Sequence, residues 1–156
     1  MAMMFTPFEP KVTFRYLFKI NDIPAYMCKA SGMPNLENGE ISIDYNNVNF
    51  KVKGRSTWGD INVTLYDPVE DSGAKHVHTW INMHHNSTSG IDGYAFATYK
   101  RPITIEALDP LGIPVEAWAL AGAYIGTSNW GEMDWSTEES KQIELTIKYD
   151  FAVLVI

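Results

Sequence analysis

Ile41-Ser-Ile-Asp-Tyr45 and Val48-Asn-Phe-Lys-Val52 alternate apolar and polar residues on either side of Asn46-Asn47. Period two is the signature of a strand, and two asparagines tolerate the positive φ that a tight two-residue turn demands. The stretch predicts a β-hairpin and sets a mainly β reading for its surroundings. Downstream, Asp60-Ile-Asn-Val-Thr-Leu-Tyr66 alternates again and puts Ile61, Val63 and Leu65 on one face, which is expected to meet the core. Upstream, residues 12–20 alternate with β-branched and aromatic types dominating, and residues 25–30 read as a further strand reached through Asn21-Asp22 and Pro24. These two are expected to form another hairpin.

The pattern changes at Asp67-Pro68-Val69-Glu70, which supplies an N-cap, a proline at the first helical position and an acid at the third. A helix is predicted from here to near Asn86. Val77, Trp80, Ile81 and His84 fall on one side, with His84 partly buried. Glu70 and Asp71 near the start and His84 and His85 near the end suit the macrodipole. Gly73 weakens the first turns by roughly 1 kcal/mol relative to alanine, so the ordered part is expected to begin late. Residues 87–93 are loop by composition. Residues 101–108, 115–126 and 142–154 return to strand patterns, with Asp109-Pro-Leu-Gly112 as a turn. The fold class expected is mainly β with one α-helix, and residues 1–156 are read as a single domain.

Composition narrows the class. Apolar residues make up 46% and charged residues 20% of the 156, which is ordinary for a folded chain. Residues 1–10 carry no Lys or Arg and are interrupted by Pro7 and Pro10, so no secretion signal is expected. No apolar run approaches the ~20 residues that cross a bilayer, so no membrane anchor is expected and the chain is read as soluble. Cys28 is the only cysteine, which rules out an intrachain disulfide, suits a reducing compartment and reads as a small buried hydrophobe. A net charge of −7 with twelve scattered Lys and Arg argues against tight nucleic-acid binding, though not against DNA passing by.

Chemistry-bearing motifs are sparse. His76, His78, His84 and His85 crowd ten residues, yet no pair has the i, i+4 spacing that brings ligands together on a helix, and no HExxH pattern supports them. No GxSxG elbow, P-loop or GxGxxG is present, and no acidic pair stands out among nineteen Asp and Glu. No catalytic residue, metal or cofactor is expected, and the chain is not read as an enzyme. Lys51, Lys53 and Arg55 recur at period two, a positive ladder on one face. It reads either as a solvated edge that discourages aggregation or as a contact to an acidic neighbouring subunit. Trp58, Trp118, Trp130 and Trp135 lie in or beside strands, most as core and some as interface anchors.

Taken in order, Arg15-Tyr-Leu-Phe-Lys-Ile20, Ala25-Tyr-Met-Cys-Lys-Ala-Ser-Gly-Met-Pro34, Lys51-Val-Lys-Gly-Arg55 and Trp58-Gly-Asp-Ile-Asn-Val-Thr-Leu-Tyr-Asp67 resemble the tail tube proteins of contractile-tailed bacteriophages. The resemblance continues to Ile143-Glu-Leu-Thr-Ile-Lys-Tyr-Asp150 and rests on order and spacing, since no single piece is diagnostic. It implies a β-sandwich or barrel subunit with one flanking helix, six of which form a ring whose lumen is a continuous β-barrel. If each subunit gives four strands, about 24 strands spaced ~4.8 Å and tilted ~45° enclose a circle roughly 50 Å across. The resemblance further implies a virion tail component assembled in the host cytoplasm, stacked ring on ring as a DNA conduit. Sheath, baseplate, tail terminator and tape-measure partners come with it.

The family's hairpin that reaches the adjacent ring corresponds to residues 36–55, which carry Lys51, Lys53 and Arg55 as candidate inter-ring contacts. The apolar end Phe151-Ala-Val-Leu-Val-Ile156 prolongs the last strand beyond the family pattern, and Val153, Leu154, Val155 and Ile156 are expected to bury against a neighbour. Six chains at −7 suggest an acidic conduit wall that repels phosphates. The competing readings are a tube or tube initiator of another contractile injection system, a monomeric barrel that binds a small ligand among its aromatic residues, and a hydrolase using unrecognised carboxylates.

Overall fold

In the computed structural model, which describes residues 6–156, the elements begin with β1 (Tyr16–Ile20), a 3-10 turn (Ala25–Met27), β2 (Cys28–Ser31), β3 (Leu36–Tyr45), β4 (Val48–Trp58) and β5 (Ile61–Tyr66). There follow α1 (Gly73–His84), β6 (His85–Asn86), β7 (Ile91–Asp92), α2 (Phe96–Tyr99), β8 (Arg101–Leu108), β9 (Pro114–Asn129), β10 (Gln142–Lys148) and β11 (Phe151–Leu154). The first five residues of the segment read above for a secretion signal lie outside the described part.

Two antiparallel sheets share one strand. β9 pairs through its first part with β8 on one side and β11 on the other, and through residues 124–129 with β10. The first sheet therefore runs β1-β8-β9-β11 and the second β9-β10-β5-β2. The passage between them is at Gly122, which has φ +65°. A Cβ there would also collide with the Asp150 carboxylate, so glycine is demanded twice over.

Alternation along the strands buries Phe18 and Ile20 of β1, Ile103 and Ile105 of β8, Ile61, Val63 and Leu65 of β5, and Ile143, Leu145 and Ile147 of β10 in one apolar core. Val77 and Trp80 of α1 join it. Arg101, 8% exposed, lies 5.0 Å over the Trp80 ring and donates to the Asn21 carbonyl. Burial pushes its pKa down, and Asp22 opposes that shift.

Several expectations need correction. β1 and β2 do not pair with each other: β1 lies on β8 and β2 on β5, because the 3-10 turn buries Met27 and carries the chain from one sheet to the other. The helix does not start at Asp67. Its N-cap position is Ser72, and Asp67 instead folds back so that one carboxylate oxygen accepts the Ala74 N–H at 3.3 Å and the Ser72 hydroxyl at 3.1 Å. Glu70 and Asp71 consequently precede the helix, and Asp71 takes φ +55°. The helix ends at His84, and part of the expected loop is the ribbon β6–β7.

A second helix, α2, replaces the single-helix count, and the Trp80 indole N–H ties it down by donating to the Tyr99 carbonyl at 2.7 Å. The closing strand is broken at Tyr149-Asp150, where the chain leaves β10 for the other sheet and becomes β11.

Candidate assembly surfaces

β3 and β4 pair only with each other, as the sequence predicts, in register Ile41↔Val52, Ile43↔Phe50 and Tyr45↔Val48 on one face and Glu40↔Lys53 and Ser42↔Lys51 on the other. Asn46 takes φ +54° at the turn. The ten residues of β3 reach about 33 Å at ~3.3 Å each. Near its base the ribbon bulges at Gly39, where a Cβ would come within 2.8 Å of the Arg55 carbonyl oxygen.

One face is apolar. Ile41, Ile43, Tyr45, Val48 and Phe50 are 49–82% exposed, on a two-stranded ribbon of the kind that is marginal in water without a covering surface. The other face carries the ladder. Lys51 and Lys53 lie on it, with Lys51 held 3.4 Å from Glu40 of the facing strand, but the bulge at Gly39 sets Ser56 opposite Asn38 on this face and turns the exposed Arg55 to the apolar side, so the three cations do not form the single row that period two predicts. Lys53 and Arg55 have no ion-pair partner among the described residues. Sequence reading picked out the cations and passed over the apolar face, although the same alternation writes both.

The second sheet has two open edges. β2 pairs only with β5, and residues 124–129 of β9 pair only with β10, so each offers an unpaired row of N–H and C=O groups. Its outward face is polar: Thr64 stands opposite Glu144 and Ala30, Asn62 opposite Thr146, and Thr127 and Asn129 continue the rows. Glu144 and Lys148 are the charged residues among the outward positions of β5 and β10. The first sheet differs. Its outward positions include Leu17, Ala119, Ala121, Phe151 and Val153, together with the Lys19–Glu106 ion pair at 3.0 Å.

At the chain end, Ala152 is buried while Phe151, Val153, Leu154, Val155 and Ile156 are about half exposed or more. The Val155 N–H donates to the Ala117 carbonyl and keeps the segment on the edge of β9. Trp58, Trp118 and Trp130 pack against the core, whereas Trp135 and Met133 stand in solvent on the connection between β9 and β10.

The histidines disperse. His76 pairs with Asp71, His85 with Asp92, and His84 is exposed and stacks on Tyr99 at 4.7 Å, not partly buried in the core. No group of three potential metal ligands exists among the described residues. Cys28 is half-buried, 4.0 Å from the Tyr16 hydroxyl. Burial pushes its pKa up, which keeps it a thiol and a poor nucleophile at neutral pH. Burial and Cys28 together push Tyr16 up to about 12. No helix among the described residues is long and apolar enough to cross a membrane.

No family model matches the sequence, and no curated protein matches it by sequence. Solved structures match by fold. The sheath-tube complex of the extracellular contractile injection system PVC in the extended state contains a chain 17% identical, covering 93% of this chain and 90% of that one, with a TM-score of 0.74. The tube-terminating cap of the anti-feeding prophage contains one 16% identical, covering 99% and 98%, with a TM-score of 0.77. The tail tube of SPP1 is 17% identical over 90% of this chain and 74% of its own, with a TM-score of 0.51. The fold is that of tube proteins. More particularly, it is the tail tube fold found in contractile injection systems and in a phage tail.

Proposed function

We propose that this chain is a structural tube subunit: six copies close into a ring, and stacked rings form the inner tube of a contractile phage tail through which DNA leaves the particle. The observation that carries the reading is the pair of open edges on the second sheet. In the antiparallel order β9-β10-β5-β2 the two outer strands run in opposite directions, so β2 of one copy continues antiparallel against residues 124–129 of the next. Such a contact is head to tail. Repeated with a fixed rotation it closes into a ring, and closure removes edges that would otherwise recruit strands without limit.

The polar outward face of that sheet then lines the conduit. It offers hydroxyls and amides with one carboxylate and one ammonium on β5 and β10, not an excess of acids. Passage of DNA rests in this reading on a neutral wall that gives phosphates no net attraction, instead of on the acidic repulsion anticipated from net charge. Sheath, baseplate, terminator and tape-measure partners, assembly in the host cytoplasm and residence in the virion follow from the tail reading.

A second reading keeps the tube and changes the particle. The TM-scores of 0.74 and 0.77 to injection-system assemblies, against 0.51 to the SPP1 tail tube, favour the tube of a contractile injection system. The experiment is negative-stain electron microscopy of the purified chain with its mass in solution across a concentration series. Rings or hollow tubes are expected. A strictly monomeric chain at high concentration, even when seeded with a tube initiator, would overturn the proposal in favour of a ligand-binding barrel.

A further inference from the structure

An apolar cleft of about 590 Å³ opens where β1 comes up against β2. Val12, Phe14, Tyr16 and Met33 line it together with Ile105 and Ala107 of β8. The Tyr16 hydroxyl donates to the Lys29 carbonyl at 2.7 Å and keeps the two strands side by side, but no ladder joins them, so the seam between the sheets stays open here. Phe14 and Met33 are exposed, and the Arg15 guanidinium lies 5.2 Å over the Phe14 ring. Large apolar side chains left in water along a concave seam are stabilised by whatever covers them.

The opposite flank of the subunit carries residues 151–156. β1 and β11 are the two edges of the first sheet, while β2 and residues 124–129 of β9 are the two edges of the second. Because β1 sits beside β2, β11 falls on the same flank as the open part of β9. Residues 151–156 hold no charged side chain, and Leu154, Val155 and Ile156 are all exposed. The segment also stands level with the cleft. Register runs Phe18↔Ile105, Ile105↔Trp118 and Trp118↔Leu154, one row that crosses the first sheet from β1 to β11. The copy's own segment does not fill its own cleft, since the Val155 N–H is bound to the Ala117 carbonyl and β11 lies three strand spacings, about 14 Å, from β1.

We infer that residues 153–156 of one copy seat in the β1–β2 cleft of the next copy around the same ring, Leu154 and Ile156 covering Phe14, Tyr16 and Met33. The occupant is a second copy of this chain because the flanks match twice. Addition of β2 onto residues 124–129 of β9 brings the flank with the cleft against the flank with β11, and the shared row sets cleft and segment at one height. The segment carries no charged side chain into the cleft, so seating it desolvates no ion of its own. The inference rests on the ring reading and adds to it a second lateral seam, made by side chains in the first sheet where the second sheet is joined by main-chain bonds. A single ladder leaves neighbours free to hinge about it. Two seams in different layers fix the rotation from copy to copy, which is what closes a head-to-tail series into a ring of one size.

Cross-linking tests it. Met33→Cys with Ile156→Cys, in a chain whose native thiol is removed by Cys28→Ser, is treated with a short bismaleimide while assembled. A ladder of covalent species ending at six chains is expected, and either cysteine alone is expected to give nothing beyond dimers. Within one copy the two positions lie on opposite flanks, beyond the reach of the linker. Rings in micrographs without that ladder overturn the inference while the ring reading stands. A double-mutant cycle needs no new thiol. Leu154→Asp with Ile156→Asp, and separately Phe14→Asp, are each expected to leave the circular dichroism of the isolated subunit unchanged and to raise the concentration at which rings form at least roughly tenfold. Combined, they are expected to cost little more than either alone, because both break one contact. Ring formation at an unchanged concentration, or effects that add in full, overturns the pairing. Failure of the wild-type chain to form any ring, with or without a tube initiator, overturns the ring reading and this inference with it.

Discussion

Lys51 Nζ stands 3.4 Å from a carboxylate oxygen of Glu40 on the facing strand of its own hairpin. Of the ladder read from the sequence as three equal cations, Lys51 is thus neutralised within the subunit, and Lys53 stands in register with the same Glu40. Both partners of the Lys51–Glu40 pair are more than half exposed, so its contribution to folding is small.

Lys53→Glu places a second acid directly opposite Glu40. Like charges in that position cost the hairpin about 0.5–1 kcal/mol, and the substitution removes a cation proposed to reach the adjacent ring. Shorter tubes that dissolve at lower salt are expected. Unchanged tube length and salt resistance in micrographs would remove the ladder from the account.

Ile43→Asp tests the other face of the hairpin. Ile43 is 49% exposed and faces Phe50 outside the main core, so the urea midpoint of the unassembled subunit is expected to move by no more than about 0.5 kcal/mol equivalent. Tubes are expected to disappear. A variant that stacks normally would show that the apolar face is left in water.

Gly122→Ala combines a positive φ with a collision against Asp150, itself held by Lys100 through two contacts of 2.9 Å. A loss of about 2 kcal/mol or more is expected in equilibrium unfolding. An unaltered midpoint would mean that the two sheets meet without this bend.

Asp67 supplies a pH dependence. Its burial would raise the carboxyl pKa, but the Lys141 ammonium, the Ala74 N–H and the Ser72 hydroxyl outweigh burial and hold it below its ordinary value. A depressed folded-state pKa gives stability that is present above the unfolded value near ~3.9 and is lost as pH falls through the folded value. Asp67→Asn should therefore be less stable than wild type at neutral pH, with the gap closing in strong acid. Urea titrations of both proteins at about pH 7 and about pH 2.5 measure the two differences, and a gap that stays constant would refute the assignment.

Deleting Val153, Leu154, Val155 and Ile156 removes partly exposed residues while leaving the buried Ala152 in place. The subunit is expected to stay folded and ring or tube formation to be impaired. Normal tubes from the shortened protein would show that this segment contacts no neighbour.

Legibility in the sequence followed the range of the interaction. The β3–β4 hairpin and the span of β8 were readable because alternation and two turn residues specify them locally. The separation of β1 from β2 was not, since partner choice is settled by strands distant in sequence, as Phe18 facing Ile105, 87 residues on, illustrates. Asp67 had the chemistry of a helix cap and does bond Ala74, yet from seven residues upstream, a distance no local pattern encodes. The change of sheet at Tyr149-Asp150 was missed because apolar residues continue through it, and its mark, the shift of the buried positions from Ile143, Leu145 and Ile147 to Ala152, shows only in the fold. Among the assembly surfaces, Lys51, Lys53 and Arg55 read as one row, whereas the bulge at Gly39 that separates Arg55 from the lysines was not legible.

The single strand β9 also has a mechanical meaning. A sandwich of two separate layers yields under shear when side chains slip past one another, whereas here one continuous backbone is a ladder partner in both layers. Sliding one layer along the other would have to tear main-chain hydrogen bonds along sixteen residues or strain the peptide chain itself. Thrust applied to either layer is carried across by covalent bonds, which makes each subunit a stiff strut.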